Sequence, residues 1–380
     1  MKTHTINRSM PIVILGLIAI IVTMVAYYVS SAAMQQQRTK QVLAEQQTEQ
    51  VYHWKMVTTW PKNFPGLGTS AELLAQWIDQ ASDGRLQITV YGAGEMVPAL
   101  QVFDTVSQGT AEMGHGAAYY WKGKIPAAQF FSSVPFGMTA QEMNAWLHYG
   151  GGMELWREIY QPFNLIPMAA GNTGVQMAGW FNREINSIED LQGLKMRIPG
   201  LGGEILNRAG GTAVNLPGGE IFTSLQTGVI DATEWVGPYN DLSFGLYKTA
   251  KYYYYPGWHE PGSTLELLVN KQAFDALPQD LQHIVTVATR AINQDMLDQY
   301  TALNNQALNE LVNQHGVIVK PLPDDVIASL REISAEVFAE LIAEDPQTAE
   351  VYRSFKQFAD SVKDYHQISE QAYLNAREQQ

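Results

Sequence analysis

The sequence predicts an α/β protein of two lobes with a helical C-terminal third, and three observations carry that reading. Strand-like and helix-like stretches alternate between residues 51 and 116, the alternation returns between residues 175 and 232, and from Pro278 onward the apolar spacing is helical. Such alternation builds a largely parallel sheet covered by helices, and a ligand cleft then falls between the lobes, beyond the carboxyl ends of the strands. A chain of 380 residues has room for two domains and additions at either end.

The elements follow in order. Lys2 and Arg8 precede an apolar run over residues 12–29, broken by Gly16 and Thr23, and Ser31, Ala32 and Ala33 come after it. A basic start, an apolar stretch and small residues make an export signal, and the run nears the ~20 residues of a membrane-spanning helix. Residues 1–33 are therefore read as a signal peptide cleaved near Ala33 or as a retained signal anchor, with Lys2 and Arg8 on the cytoplasmic side. Residues 34–50, polar and rich in Gln, read as a spacer.

Residues 51–60 are aromatic and β-branched, as a strand is. Pro61, Pro65, Gly66 and Gly68 make a loop, and Ser70 is placed to cap a helix whose positions Leu73, Leu74, Trp77, Ile78 and Ala81 share a face until Gly84. Leu86, Ile88 and Val90 alternate as a strand. Pro98 opens a helix that Gly109 closes, and residues 111–116 fit a short strand. Further on, residues 175–182, 194–198 and 229–232 read as strands, with a turn at 188–191 and helices at 204–208 and 220–226. Pro321, Pro323 and Pro346 punctuate the helical third.

Composition excludes several functions. Lys and Arg number 24 against 38 Asp and Glu, a net charge of −14, which opposes non-specific nucleic-acid binding. Apolar residues at 46% are enough for a sizeable core, and the absence of Cys removes disulfides, thiol nucleophiles and Cys-ligated zinc. There is no H-E-x-x-H pair, no G-x-S-x-G elbow and no phosphate-binding G-x-x-x-x-G-K loop. The GAGEMV stretch at residues 92–97 lacks the third glycine of a dinucleotide loop. No motif of these kinds points to an enzyme.

Four stretches carry a resemblance: TTWPKNFPGLGTSAELLAQWI (58–78), DLQGLKMRIPG (190–200), GGEIFTSLQTGVIDATEW (218–235) and YYYYPGWHEPG (252–262). They resemble the solute-binding subunit of tripartite ATP-independent periplasmic (TRAP) transporters, and the Gln176, Glu234-Trp235 and Glu260 pattern is similar to the branch that binds 2-oxo acids with a cation. The resemblance implies a two-lobed periplasmic binding protein that closes on its ligand about a hinge, delivering it to membrane subunits. Lobe I is then expected at 51–174 and 234–264 and lobe II at 175–233 and 265–340. Residues 341–380 would be C-terminal helices, able to pair two copies through a swapped helix. In that segment Val351, Phe355, Phe358, Val362 and Tyr365 form one apolar stripe, which a helix folded onto its own lobe explains equally.

Arg197 ends its strand just before Pro199-Gly200, where a cleft would open, and its planar fork matches a carboxylate. An ordinary solvated strand arginine fits the spacing too; the resemblance implies the carboxylate grip. Glu234, Glu260, the Gln176 amide oxygen and the Trp235 carbonyl are hard oxygen ligands suited to Na⁺ or Ca²⁺. The expected set is Gln176, Arg197 and Trp235 for substrate, and Gln176, Glu234, Trp235 and Glu260 for the cation. Two glutamates beside a substrate carboxylate need compensation; Arg197 with Na⁺ leaves one negative charge, and with Ca²⁺ none. One arginine fits a pyruvate-like monocarboxylate.

A 2-hydroxy acid such as lactate, with Ca²⁺, is the first alternative. A periplasmic glycoside hydrolase using Glu234 and Glu260 is the second, and a binding module serving a signalling receptor the third. Among Trp60, Tyr119, Tyr120, Trp121, Trp180, Trp235, Tyr239 and Trp258, the rings expected at the site are Trp235 and, after it, Tyr119 and Tyr120. Asn240 is a candidate donor or a turn residue.

Overall fold

The computed structural model describes residues Met10–Glu378, which leaves Lys2 and Arg8 outside the described residues. The chain forms two units that meet between Tyr52 and His53. The first is one helix, Met10–Glu49, so the polar stretch continues the apolar helix without a break. Its segment Gly16–Thr39 has a mean hydropathy of 2.0 and the length to cross a membrane. The hydroxyls of Thr23, Ser30 and Ser31 donate to carbonyls one turn back (Ala19, Tyr27 and Tyr28, each 2.9 Å), so these groups need no water.

The second unit holds two sheets. The first orders its strands Leu86–Tyr91, Tyr52–Thr58, Met113–Gly116, Thr264–Asn270 and Leu165–Asn172. Tyr52–Thr58 runs parallel to Met113–Gly116, as the strand–helix–strand alternation requires, while Thr264–Asn270 enters antiparallel between two neighbours. The second sheet orders Ile318–Pro321, Tyr252–Tyr255, Gly179–Phe181, Ala232–Thr233, Lys195–Arg197 and Thr212–Val214.

Strand membership differs from the expected lobe boundaries. Residues 252–255, expected in lobe I, pair in the second sheet, and residues 265–270, expected in lobe II, lie inside the first. Both strands are short and apolar, and nothing local in such a run names its partner. The consequence is functional: the chain crosses between sheets at residues 173–178 and again at 256–263.

Local differences have local causes. The helix Leu67–Ala81 starts before Ser70, whose amide already bonds to the Gly66 carbonyl at 3.1 Å, so Ser70 lies inside the first turn and caps nothing. Of residues 175–182 only Gly179–Phe181 forms a strand, because the preceding residues make the crossing.

The helical third does not stand apart. Gln279–Asn313 packs on the strand Leu165–Asn172 and the helix Leu67–Ala81, while Asp324–Glu344 packs on the helix Gly200–Arg208 of the second lobe. Pro346–His366 returns to the first lobe, where Val351 and Phe355 join a core with Phe130, Phe131 and Trp146, and Trp146 Nε1 donates to Ser354 Oγ at 3.1 Å. Each such buried side chain contributes about 1.5–3 kcal/mol. The stripe therefore divides: Val351 and Phe355 are core, while Tyr365, Ile368 and Tyr373 are exposed.

Candidate functional site

The crossings at 173–178 and 256–263 lie side by side. Thr173 N donates to Ser263 O at 3.0 Å, Gln176 N to Glu260 O at 3.1 Å and Gly257 N to Gln176 O at 3.0 Å. Gly257 permits this approach: a Cβ there would lie 2.2 Å from the Gln176 carbonyl oxygen. Pairing brings the Gln176 side chain to Glu260, with Nε2 donating to the carboxylate at 2.8 Å and to Thr173 Oγ1 at 3.1 Å. The Ser263 hydroxyl donates to the same carboxylate.

Arg197 and Glu234 meet by sheet register. The parallel strands Lys195–Arg197 and Ala232–Thr233 pair Arg197 with Thr233, so Glu234 follows at the carboxyl edge, its N–H donating to Arg197 O at 3.2 Å. The guanidinium is buried, and each of its three nitrogens donates a hydrogen bond. It donates to the Glu234 carboxylate, to Leu216 O at 3.2 Å through Nε, and to the Tyr120 hydroxyl at 3.2 Å through Nη2. Its carbon sits 4.9 Å from the centre of the Trp235 ring. Lys195, on the same face two residues earlier, is exposed; only the strand end reaches the interior.

Burial works against the Arg197 charge, but Glu234, with Tyr120, Tyr119 and Glu260, holds its pKa above the ordinary arginine value. Burial and the neighbouring Glu234 charge push Glu260 upward. Burial likewise raises Tyr119 and Tyr120, so both remain hydroxyl donors.

Two buried acceptors of this cluster have no hydrogen-bond partner: Gln176 Oε1 and Glu234 Oε2. Both ring nitrogens of His259 are also unpartnered. Glu234, His259 and Glu260 each offer a ligand atom within 4.8 Å of the others. Buried oxygens without donors cost about 1–3 kcal/mol each, which a cation would relieve. The donor set thus fits a metal ion.

Beside this cluster lies a small cavity of about 10 Å³, walled by Trp60, Tyr119, Tyr120, Trp235, Leu67 and Leu265, with Gln176, Thr173 and Ser263 as its polar edge. Trp235 enters as a ring as well as a peptide. Trp60 stands edge-on to it at 6.1 Å and is held by His115, whose Nδ1 accepts from Trp60 Nε1 at 2.8 Å while Nε2 donates to Ala170 O at 3.1 Å. Burial pushes His115 down to about 4, which keeps it neutral.

All five expected site residues, Gln176, Arg197, Glu234, Trp235 and Glu260, thus converge. The other aromatics pack: Trp180 stacks on Tyr253 and donates to Asp241 at 2.9 Å, Trp121 lies in the first-lobe core, Tyr239 packs on Tyr300, and Trp258 packs on Phe136. Asn240 is engaged in packing, donating to Pro65 O at 2.7 Å and accepting from the Tyr300 hydroxyl at 2.9 Å. The sequence reading missed His259, Thr173, Ser263, Trp60 and His115. Adjacency to Glu260 was the one signal for His259.

Comparison with known proteins places this geometry. Residues 56–345 match the family model for bacterial extracellular solute-binding protein, family 7 (DctP). The monocarboxylate 2-oxoacid-binding periplasmic protein of Nostoc sp. is 46% identical over 322 residues, 85% of this chain and 88% of its own. A TRAP periplasmic solute-binding protein from Pseudoalteromonas atlantica, solved with bound sodium and pyruvate, is 44% identical and superposes with a TM-score of 0.84 over 86% of this chain and 99% of its own. Its counterpart from Colwellia psychrerythraea, with bound calcium and pyruvate, is 43% identical, with a TM-score of 0.84 over 86% of this chain and 100% of its own. The chain is a TRAP solute-binding protein of the two-lobed α/β fold and belongs to bacterial extracellular solute-binding protein family 7.

Proposed function

We propose that this chain is the extracytoplasmic receptor of a TRAP secondary transporter and binds a pyruvate-like 2-oxo monocarboxylate together with Na⁺ or Ca²⁺. The observation that carries the reading is the pair of buried, unpartnered oxygens, Gln176 Oε1 and Glu234 Oε2, next to Glu260 and the buried Arg197. Arg197 would grip the carboxylate. Gln176, Glu234, Glu260 and the Trp235 carbonyl would hold the cation, which compensates charge and can chelate the acid's carboxylate and 2-oxygen. The sodium and the calcium of the two pyruvate-bound relatives support either ion. The aromatic walls exclude water and limit ligand size.

Calorimetry against a panel of acids tests this. Pyruvate and its short homologues should bind tightly, 2-hydroxy acids such as lactate next, and dicarboxylates weakly, for want of a second basic group. Binding of sugars or amino acids with no 2-oxo or 2-hydroxy acid bound would overturn it. Membership of a family of solute-binding proteins supports binding over the hydrolase reading of Glu234 and Glu260.

Two further parts belong to the proposal. The helix Gly16–Thr39 directs export and, if uncleaved, tethers the receptor to the inner membrane near its membrane subunits. The end of the C-terminal helix, with Tyr365, Ile368 and Tyr373 exposed, pairs two copies.

A further inference from the structure

We propose that His259 is a ligand of the site's cation and gives the site an affinity for borderline divalent ions of the Zn²⁺ and Co²⁺ class, in addition to Na⁺ and Ca²⁺. The inference rests on the reading that a cation sits among Gln176, Glu234 and Glu260, and it deepens that reading.

His259 is buried on the second crossing, one residue before Glu260, and neither ring nitrogen has a hydrogen-bond partner. A neutral imidazole carries one donor and one acceptor, so packing alone leaves both unmet. Its Nε2 lies 3.7 Å from Glu234 Oε2, which is too long for a hydrogen bond. That separation is close to the edge between two ligands on one tetrahedral ion, roughly 3.4 Å for bonds of about 2.1 Å. Glu260 completes a set of three ligand atoms within 4.8 Å of one another.

Donor chemistry gives the selectivity. Carboxylate and amide oxygens alone suit hard ions, whereas imidazole nitrogen adds most to Co²⁺, Ni²⁺, Cu²⁺ and Zn²⁺. The backbone holds the ring in place: Gln176 N donates to Glu260 O, and a Cβ on Gly202 of the facing helix would meet His259 Cβ at 3.0 Å. The receptor then loads its acid on whichever cation the surroundings supply.

The test uses the chelator-stripped, desalted soluble domain, titrated calorimetrically with Co²⁺ and with Ca²⁺ in the presence of pyruvate, for the native protein and for H259Q. Native protein should bind one Co²⁺ in competition with Ca²⁺. In H259Q the ratio of Co²⁺ to Ca²⁺ affinity should fall at least tenfold. An unchanged ratio, or Co²⁺ and Ca²⁺ bound together in the native protein, overturns the assignment. Where H259Q folds poorly, H259A gives the same comparison of the Co²⁺ to Ca²⁺ ratio, and the ratio unchanged in H259A likewise overturns the assignment. If neither Na⁺ nor Ca²⁺ alters pyruvate affinity, the shared-cation reading itself falls, and this assignment with it.

Discussion

Arg197 shows how one residue is read twice. Sequence spacing left it open between a solvated strand residue and a carboxylate grip, and burial decides that it is no surface group. All three guanidine nitrogens are engaged in different directions, so Arg197→Lys keeps the charge and loses the fork. Affinity for pyruvate should weaken by about 1.5–3 kcal/mol, on the order of ten- to a hundredfold, and the melting temperature should fall as well, because Lys cannot replace the buried bonds to Leu216 O and Tyr120. Unchanged affinity in calorimetry would contradict the grip.

Glu266 escaped sequence reading altogether, because a lone acid in an apolar strand has no motif. It lies buried in the first sheet, takes the Trp121 indole N–H on one oxygen and leaves the other unpartnered. Burial pushes it from 4.5 up to about 8. The folded state therefore keeps a proton that the unfolded chain releases above its ordinary value. Stability from this group is full below about pH 4.5 and is lost as pH rises toward 8. Glu266→Gln should raise stability by about 2–4 kcal/mol at pH 8, at roughly 1.36 kcal/mol per pK unit, and change little at pH 5. Denaturant melts at both pH values check the sign; an equal effect at both would place the gain elsewhere.

At the scale of elements, the legible parts were those with local periodicity: the helix Leu67–Ala81, the strand Leu86–Tyr91 and the long C-terminal helices. Strand partnership was not legible. Residues 252–255 and 264–270 are neighbours in sequence that go to different sheets, and only long-range pairing decides this. The candidate site was legible through the family resemblance, since spacing alone left Arg197 open between a solvated strand residue and a carboxylate grip.

The C-terminal helix sharpens the same point. Helical spacing marked Val351, Phe355 and Tyr365 alike, yet the first two are core and the third is solvated. Removing residues 361–380 should leave the melting temperature nearly intact and convert a dimer to a monomer in light scattering. Removing everything after Pro346 should destabilise the first lobe, since losing Phe355 alone costs about 3–5 kcal/mol. A shortened protein that remains dimeric would refute pairing through the helix end.

For the whole molecule, function follows from where the chain crosses between lobes. Gln176, His259 and Glu260 lie on the crossings, and Arg197 with Glu234 at the carboxyl ends of neighbouring strands in the second sheet, so a ligand and cation held as proposed would touch both lobes at once. Arg197 with Tyr120 and Lys122 with Glu204 make contacts between the lobes. Hinge closure predicts a smaller radius of gyration in solution scattering when pyruvate and cation saturate the protein. Superimposable profiles would argue against closure.

Glu234→Gln and Glu260→Gln should each weaken cation and acid together, because coupling between two ligands of one site is reciprocal. The most direct test is a calorimetric titration of exhaustively desalted native protein with pyruvate, first without Na⁺ or Ca²⁺ and then with each restored. The account predicts affinity at least tenfold tighter with one of the ions present. Pyruvate affinity indifferent to both ions would contradict it.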